Sequence, residues 1–175
     1  MFYFSIQIIF EKEAKEIINS CMIIPIFSKL GTITFVGSYA LQLLYRRDID
    51  LFVTSEICDV NSATSITKQL LDLLTFQTVG FADWTVQTPP NNLKGCYWEL
   101  VYFNGPNRWK FDIWYTAEKD IQAIIDTSKF KEQLLQKPEL REQILKLKSD
   151  LYNGDTYVNN MNGFKIYEQV LGKIK

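Results

Sequence analysis

The 175-residue chain contains no histidine. That absence removes Ser-His-Asp and Cys-His hydrolysis, His-ligated zinc or iron, and imidazole acid–base catalysis. Cysteine is scarce: Cys21, Cys58 and Cys96 are odd in number, far apart and without a CxxC pair. They suit neither a disulfide framework nor a thiolate zinc site, and read as small reduced core residues. An excess of one charge is missing too, because 19 Lys plus Arg stand against 20 Asp plus Glu, a net charge of −1. Domains built to grip a polyanion are usually strongly basic, so nucleic acid is not the expected partner. No apolar run is long enough to cross a bilayer, and no membrane partner is expected. The apolar start, Met1 to Phe10, follows no basic segment, carries no small-residue cleavage pattern and stops at Glu11-Lys12-Glu13. It reads as buried structure, and the protein as cytoplasmic. With no repeat and no Gly/Ser/Pro-rich linker either, chemistry is left to carboxylates, Lys/Arg, hydroxyls and backbone.

What is present is an ordinary folded mixture, 47% hydrophobic and 22% charged, enough for one compact domain. Phe10, Ala14, Ile17, Ile18 and Cys21 recur at helical spacing and predict a first amphipathic helix. Thr32 to Val36 is a β-branched run read as a buried strand, Tyr39 to Tyr45 suits a helix of two turns, and Asp48 to Val53 reads as a second strand. Asp59 to Ser62 offers caps for a helix carrying Ile66, Leu70, Leu73 and Leu74. Strands are expected at Trp84 to Gln87, Tyr97 to Phe103 and Arg108 to Tyr115, the last two joined by an Asn104-Gly105-Pro106-Asn107 turn. From Thr116 the pattern is helical: Ile121 to Leu134, a segment after Pro138 holding Leu140, Ile144, Leu147 and Leu151, and a short one with Phe164, Tyr167 and Leu171. The expected fold is α+β: a mixed sheet of about five strands flanked by helices, with a core over 1–116 and a helical extension over 117–175 packed on it. The front of the chain, 1–128, is net −4 and the remainder net +3, so docking of the tail on the acidic front is expected.

The chemistry concentrates in Val36 to Val53. On a strand, residues i and i+2 share a face, so Asp48 and Asp50 point together while Ile49 and Leu51 turn away. Two carboxylates so placed repel unless a cation joins them, and hard oxygen ligands favour Mg²⁺ or Mn²⁺. Gly37 permits a sharp turn and close approach, and Ser38 opens a helix whose free N–H groups suit an anion. A two-metal site wants a third acid. Asp112, between Phe111 and Ile113, is the first candidate and Glu99, between Trp98 and Leu100, the rival. Lys110 shares the face of Asp112 and could neutralise it or reach a phosphate. The aromatics Tyr97, Trp98, Tyr102, Phe103, Trp109, Phe111, Trp114 and Tyr115 could stack a base, but strands mostly use such residues for packing.

Gly37-Ser38, nine residues, Asp48-Ile49-Asp50, and a later apolar-Asp-apolar strand at Asp112 resemble the nucleotidyltransferase superfamily with a polymerase-β-like core. Within it the pattern is similar to small bacterial members: antibiotic adenylyltransferases, abortive-infection-type proteins and minimal nucleotidyltransferases. The resemblance covers about residues 30–115. It implies that Asp48, Asp50 and Asp112 bind two Mg²⁺ (or Mn²⁺) ions and that Asp112 assists deprotonation of an acceptor hydroxyl. It further implies that Gly37 and Ser38 hold the triphosphate of a nucleoside triphosphate; Lys110, from its place on the Asp112 face rather than from the resemblance, is an added candidate nucleotide contact, and Arg46 and Arg47 receive no role. The implied reaction moves a nucleoside monophosphate, AMP from ATP, to a hydroxyl of a small molecule. A protein acceptor or a catalytically retired nucleotide-binding module are the alternatives, and a homodimer completing the cleft is left open.

Overall fold

The computed structural model describes residues 2–90, 92–154 and 156–172, with side chains from Ser5 onward. Twelve elements follow one another: α1 (Phe2–Ser20), α2 (Ile23–Phe27), β1 (Thr32–Val36), α3 (Gly37–Ala40), β2 (Asp48–Thr54), α4 (Val60–Asp72), β3 (Thr78–Asp83), β4 (Cys96–Asn104), β5 (Asn107–Thr116), α5 (Gln122–Gln136), α6 (Leu140–Leu151) and α7 (Gly163–Leu171). The five strands form one mixed sheet in the order β1-β2-β5-β4-β3. Only β2 and β5 run parallel; the other neighbours are antiparallel. Alternation on β2 sorts its side chains, with Ile49, Leu51 and Val53 fully buried and Asp48 and Asp50 half-buried on the opposite face. The apolar face packs on α1, α2 and α4 through Ile17, Phe27, Ile66, Trp98, Phe111 and Ile113. A second core joins the chain after α3 (Leu41, Leu43, Tyr45) to α5, α6 and α7 through Phe130, Ile144, Leu145 and Ile166.

Several expectations shift. The apolar start is helical from Phe2, with Met1 outside the described residues, but it is not buried throughout: Ile8 and Ile9 are 63% and 52% exposed. The third strand lies at Thr78–Asp83 rather than Trp84 to Gln87. Asp83 accepts from Thr85 N (2.9 Å) and turns the chain there, while the Trp84 ring stacks on Tyr97, 5.5 Å between centroids. Leu73 and Leu74 fall beyond α4 and are exposed. The two-turn helix from Tyr39 is a single turn, because Gln42 takes a left-handed φ of 56°. The carbonyls released there find partners on α6: Lys148 Nζ donates to Leu43 O and Arg141 Nη1 to Leu41 O, both at 2.6 Å. Cys21 and Cys96 are buried and Cys58 half-buried, all three as free thiols, and burial pushes Cys96 up to about 12. Among the described residues no helix is long and apolar enough to cross a membrane.

Candidate functional site

The parallel pairing of β2 with β5 builds the acid cluster. Its register sets Asp50 beside Asp112 and Asp48 beside Lys110, all on the face away from the main core. Carboxylate oxygens of Asp48, Asp50 and Asp112 lie within 4.8 Å of one another, a set able to hold a metal ion. Glu99 pairs with Asp112 from β4, one strand further from Asp48 and Asp50, and is not in that set. Asp112 is tightly held: Tyr97 OH donates to one oxygen at 2.5 Å and Lys110 Nζ to the other at 2.6 Å. Lys110 Nζ also stands 3.5 Å from Asp48 Oδ1, and Arg46 lies 3.9 Å from Asp48 Oδ2. Asp48 Oδ1 is nevertheless buried without a hydrogen-bond partner.

Burial and mutual repulsion dominate the electrostatics. Burial, then the Asp48 and Asp112 charges, push Asp50 up to about 7, and burial likewise raises Asp48. Two carboxylates about 4 Å apart repel by about 4 kcal/mol at an effective dielectric near 20, more than an exposed lysine ordinarily offsets. Lys110 loses stability through burial but gains more from Asp48 and Asp112, so its pKa rises. A dication would reverse the penalty on Asp48 and Asp50 together. The orphaned Asp48 oxygen, the all-oxygen donor set and the close spacing fit a hard divalent ion such as Mg²⁺ or Mn²⁺.

Beside the acids, Gly37 begins the α3 turn with φ +60°, and a Cβ there would stand 3.3 Å from Asp50 Oδ2. Glycine therefore meets two demands, a left-handed backbone and close approach to the carboxylate. The turn is less open than its sequence predicts. Gly37 N donates to Thr127 Oγ1 of α5 (3.1 Å), and Ser38 Oγ meets Tyr167 OH at 2.7 Å and accepts from Lys148 Nζ at 3.0 Å. The turn and the acids still share one cleft of about 350 Å³, lined also by Arg46, Trp114, Thr127, Tyr157 and Phe164.

No family model and no curated protein sequence matches the chain. Solved structures do. A Cid1 poly(U) polymerase with Mg 3′-dATP bound superposes with a TM-score of 0.62 at 15% identity, over 92% of this chain and 47% of that one. The non-canonical poly(A) polymerase complex GLD-2–GLD-3 gives 0.63 at 14%, over 93% and 52%. The conserved protein GrpB from Enterococcus faecalis gives 0.53 at 17%, over 93% and 90%. The chain has the polymerase-β-like nucleotidyltransferase fold. It spans about half the length of the polymerase chains it matches.

Several residues in and around the cleft make contacts that the sequence alone does not assign. Tyr97, grouped above with the aromatics that could stack a base or pack, is a direct partner of Asp112. Arg46 lies over the Tyr157 ring, 5.8 Å from its centroid, whereas Arg47 is structural: its Nε donates to Glu13 Oε2 at 2.9 Å and its guanidinium covers Phe10. Lys148 is fully buried behind Ser38, with Leu43 O, Ser38 Oγ and Tyr167 OH around its three donors. A readable signal existed for it, since Lys148 falls on the same stripe as Ile144 and Leu145, a buried face on which a lysine needs acceptors.

Proposed function

We propose that the protein is a divalent-metal-dependent nucleotidyltransferase that moves a nucleoside monophosphate, AMP from ATP, to an acceptor hydroxyl. The observation that carries this reading is the meeting of Asp48, Asp50 and Asp112 within 4.8 Å, beside Gly37-Ser38 and inside one cleft. In this reading Asp48, Asp50 and Asp112 hold Mg²⁺ or Mn²⁺, which when bound would stabilise charge on the phosphoryl oxygens. Gly37 and Ser38 are the proposed triphosphate contacts, reached once Gly37 N–H leaves Thr127 Oγ1 and the Ser38 hydroxyl leaves Tyr167, with Lys110 and Arg46 beside Asp48 as further phosphate contacts. Asp112 takes the proton of the acceptor hydroxyl. Support for a magnesium-bound nucleotide comes from the Cid1 match, whose structure carries Mg 3′-dATP.

The acceptor is proposed to be a small molecule, on the near-neutral charge of the chain. A second reading has a specific observation behind it: the matched structures include a poly(U) and a poly(A) polymerase, so a polynucleotide end is an equal candidate despite that charge. A protein acceptor follows as a third outcome of the same assay. Calorimetric titration of Mg-ATP with pyrophosphate-release kinetics tests the core claim. The wild type should bind and turn over, and Asp48→Asn and Asp50→Asn should lose at least about 10³-fold in turnover. Equal turnover in the variants, or no nucleotide binding by the wild type, sinks the reading. Labelled ATP supplied with a lysate then sorts the acceptors by whether label enters a metabolite, a polynucleotide or a protein band.

A further inference from the structure

We infer that the Lys110 ammonium is the resident counter-ion of the acid cluster, shutting out a free divalent ion until nucleotide phosphates draw the lysine away. The inference rests on the metal-binding reading above and concerns when the metal enters. Lys110 sits two residues before Asp112 on the same face of β5 and pairs in register with Asp48 across to β2. Its Nζ is 2.6 Å from Asp112 Oδ2 and 3.5 Å from Asp48 Oδ1, so it bridges two of the three carboxylates whose oxygens could ligate a metal. An ammonium in that bridge and a dication among the same oxygens repel strongly, and one must leave for the other to bind.

The two ends of the bridge differ. On the Asp48 side, the contact is charge without a hydrogen bond, and Oδ1 keeps its lone pairs unpartnered. On the Asp112 side, both oxygens are taken, one by Lys110 and the other by the Tyr97 hydroxyl. Asp112 is therefore the acid a metal gains only when Lys110 withdraws. Lysine suits this task, being a compact charge on a flexible four-carbon stem that can swing between carboxylate and phosphate. The other charged groups facing the bridge do not replace it: Arg46 reaches only Asp48 Oδ2, at 3.9 Å, and Glu99 lies opposite Asp112 on β4. The consequence is an order of events in which the metal arrives with the triphosphate rather than ahead of it.

Mn²⁺ titration of the nucleotide-free protein, followed by loss of the free-ion paramagnetic resonance signal, reads this directly. Lys110→Met and Lys110→Gln should bind Mn²⁺ about ten- to a hundredfold more tightly than wild type, while Lys110→Arg stays close to wild type. Affinities in the Met and Gln variants equal to or weaker than wild type overturn the counter-ion role and leave the metal site standing. Failure of every protein to bind Mn²⁺, both alone and with a non-hydrolysable ATP analogue, overturns the metal site itself.

Discussion

The two faces of the sheet are made by the same strands and obey opposite rules. On one, Ile49, Leu51, Leu100, Phe111 and Ile113 are fully excluded from water and packed on α1, α2 and α4. On the other, one residue along each strand, Asp48, Asp50 and Asp112 remain half-buried around a cleft, with Lys110 half-buried beside them. The apolar face supplies favourable free energy and fixes backbone positions; the polar face is held in a geometry its own charges resist. Strand alternation is what lets the first support the second. Because adjacent side chains share a backbone, the register that buries Leu51 and Ile113 also sets Asp50 beside Asp112.

Substitutions on the two faces should therefore fail in different ways. Trp98 is fully buried on the closed face, edge-on to Phe27 at 5.1 Å, with its indole N–H on Thr67 Oγ1 at 2.8 Å. Trp98→Ala should cost about 3–5 kcal/mol in denaturant unfolding, while the folded fraction keeps its nucleotide affinity. A selective loss of binding with stability intact would break the division of labour. Gly37→Ala tests the open face. At φ +60° it should cost about 1–3 kcal/mol, and its new Cβ displaces the Asp50 carboxylate. Turnover should fall further than stability, by about ten- to a hundredfold, with unfolding and kinetics measured on the same preparation. Turnover at the wild-type level would show that the acid tolerates a moved carboxylate.

Much of the closed face and the acid pair was legible because period-2 alternation is local. Asp48-Ile49-Asp50-Leu51 announces its two faces in four letters, and the hairpin at Gly105-Pro106 announces its turn, with Asn104 paired to Asn107. That Asp112 rather than Glu99 joins the pair depends on strand order. Only the placement of β5 between β2 and β4 decides it, and no local pattern in the chain specifies that order. The helix after Ser38 was over-read for a related reason. Leu41, Leu43 and Leu44 carry helical apolarity, yet the backbone leaves the helix at Gln42, and Lys148 and Arg141, about a hundred residues away, donate to the released Leu43 and Leu41 carbonyls. Long-range partners of this kind, Thr127 and Tyr167 among them, are invisible to periodicity.

Lys148 gives the finest measure of how the open face is built, because it is a buried charge whose burden is set by pH. Burial draws its pKa down from the usual lysine range to about 7, opposed by Glu11 from α1 and Asp50 from β2 and assisted by Arg46. The unfolded chain holds this proton up to the ordinary lysine value near 10.4. Between those limits the unfolded state binds more proton than the folded one, so this residue makes stability rise with pH across the interval. Lys148→Met lacks that contribution, and Asp50, deprived of the lysine charge, titrates higher in the variant, which moves the difference in the same direction. The stability of wild type relative to Lys148→Met should therefore improve by about 1 kcal/mol between pH 7 and pH 8, read by urea unfolding at the two values. A gap that stays constant, or moves toward the variant, would mean that Ser38 Oγ, Leu43 O and Tyr167 OH solvate the ammonium as well as water does. The Gly37-Ser38 turn would then rest on a charge that the fold carries without penalty.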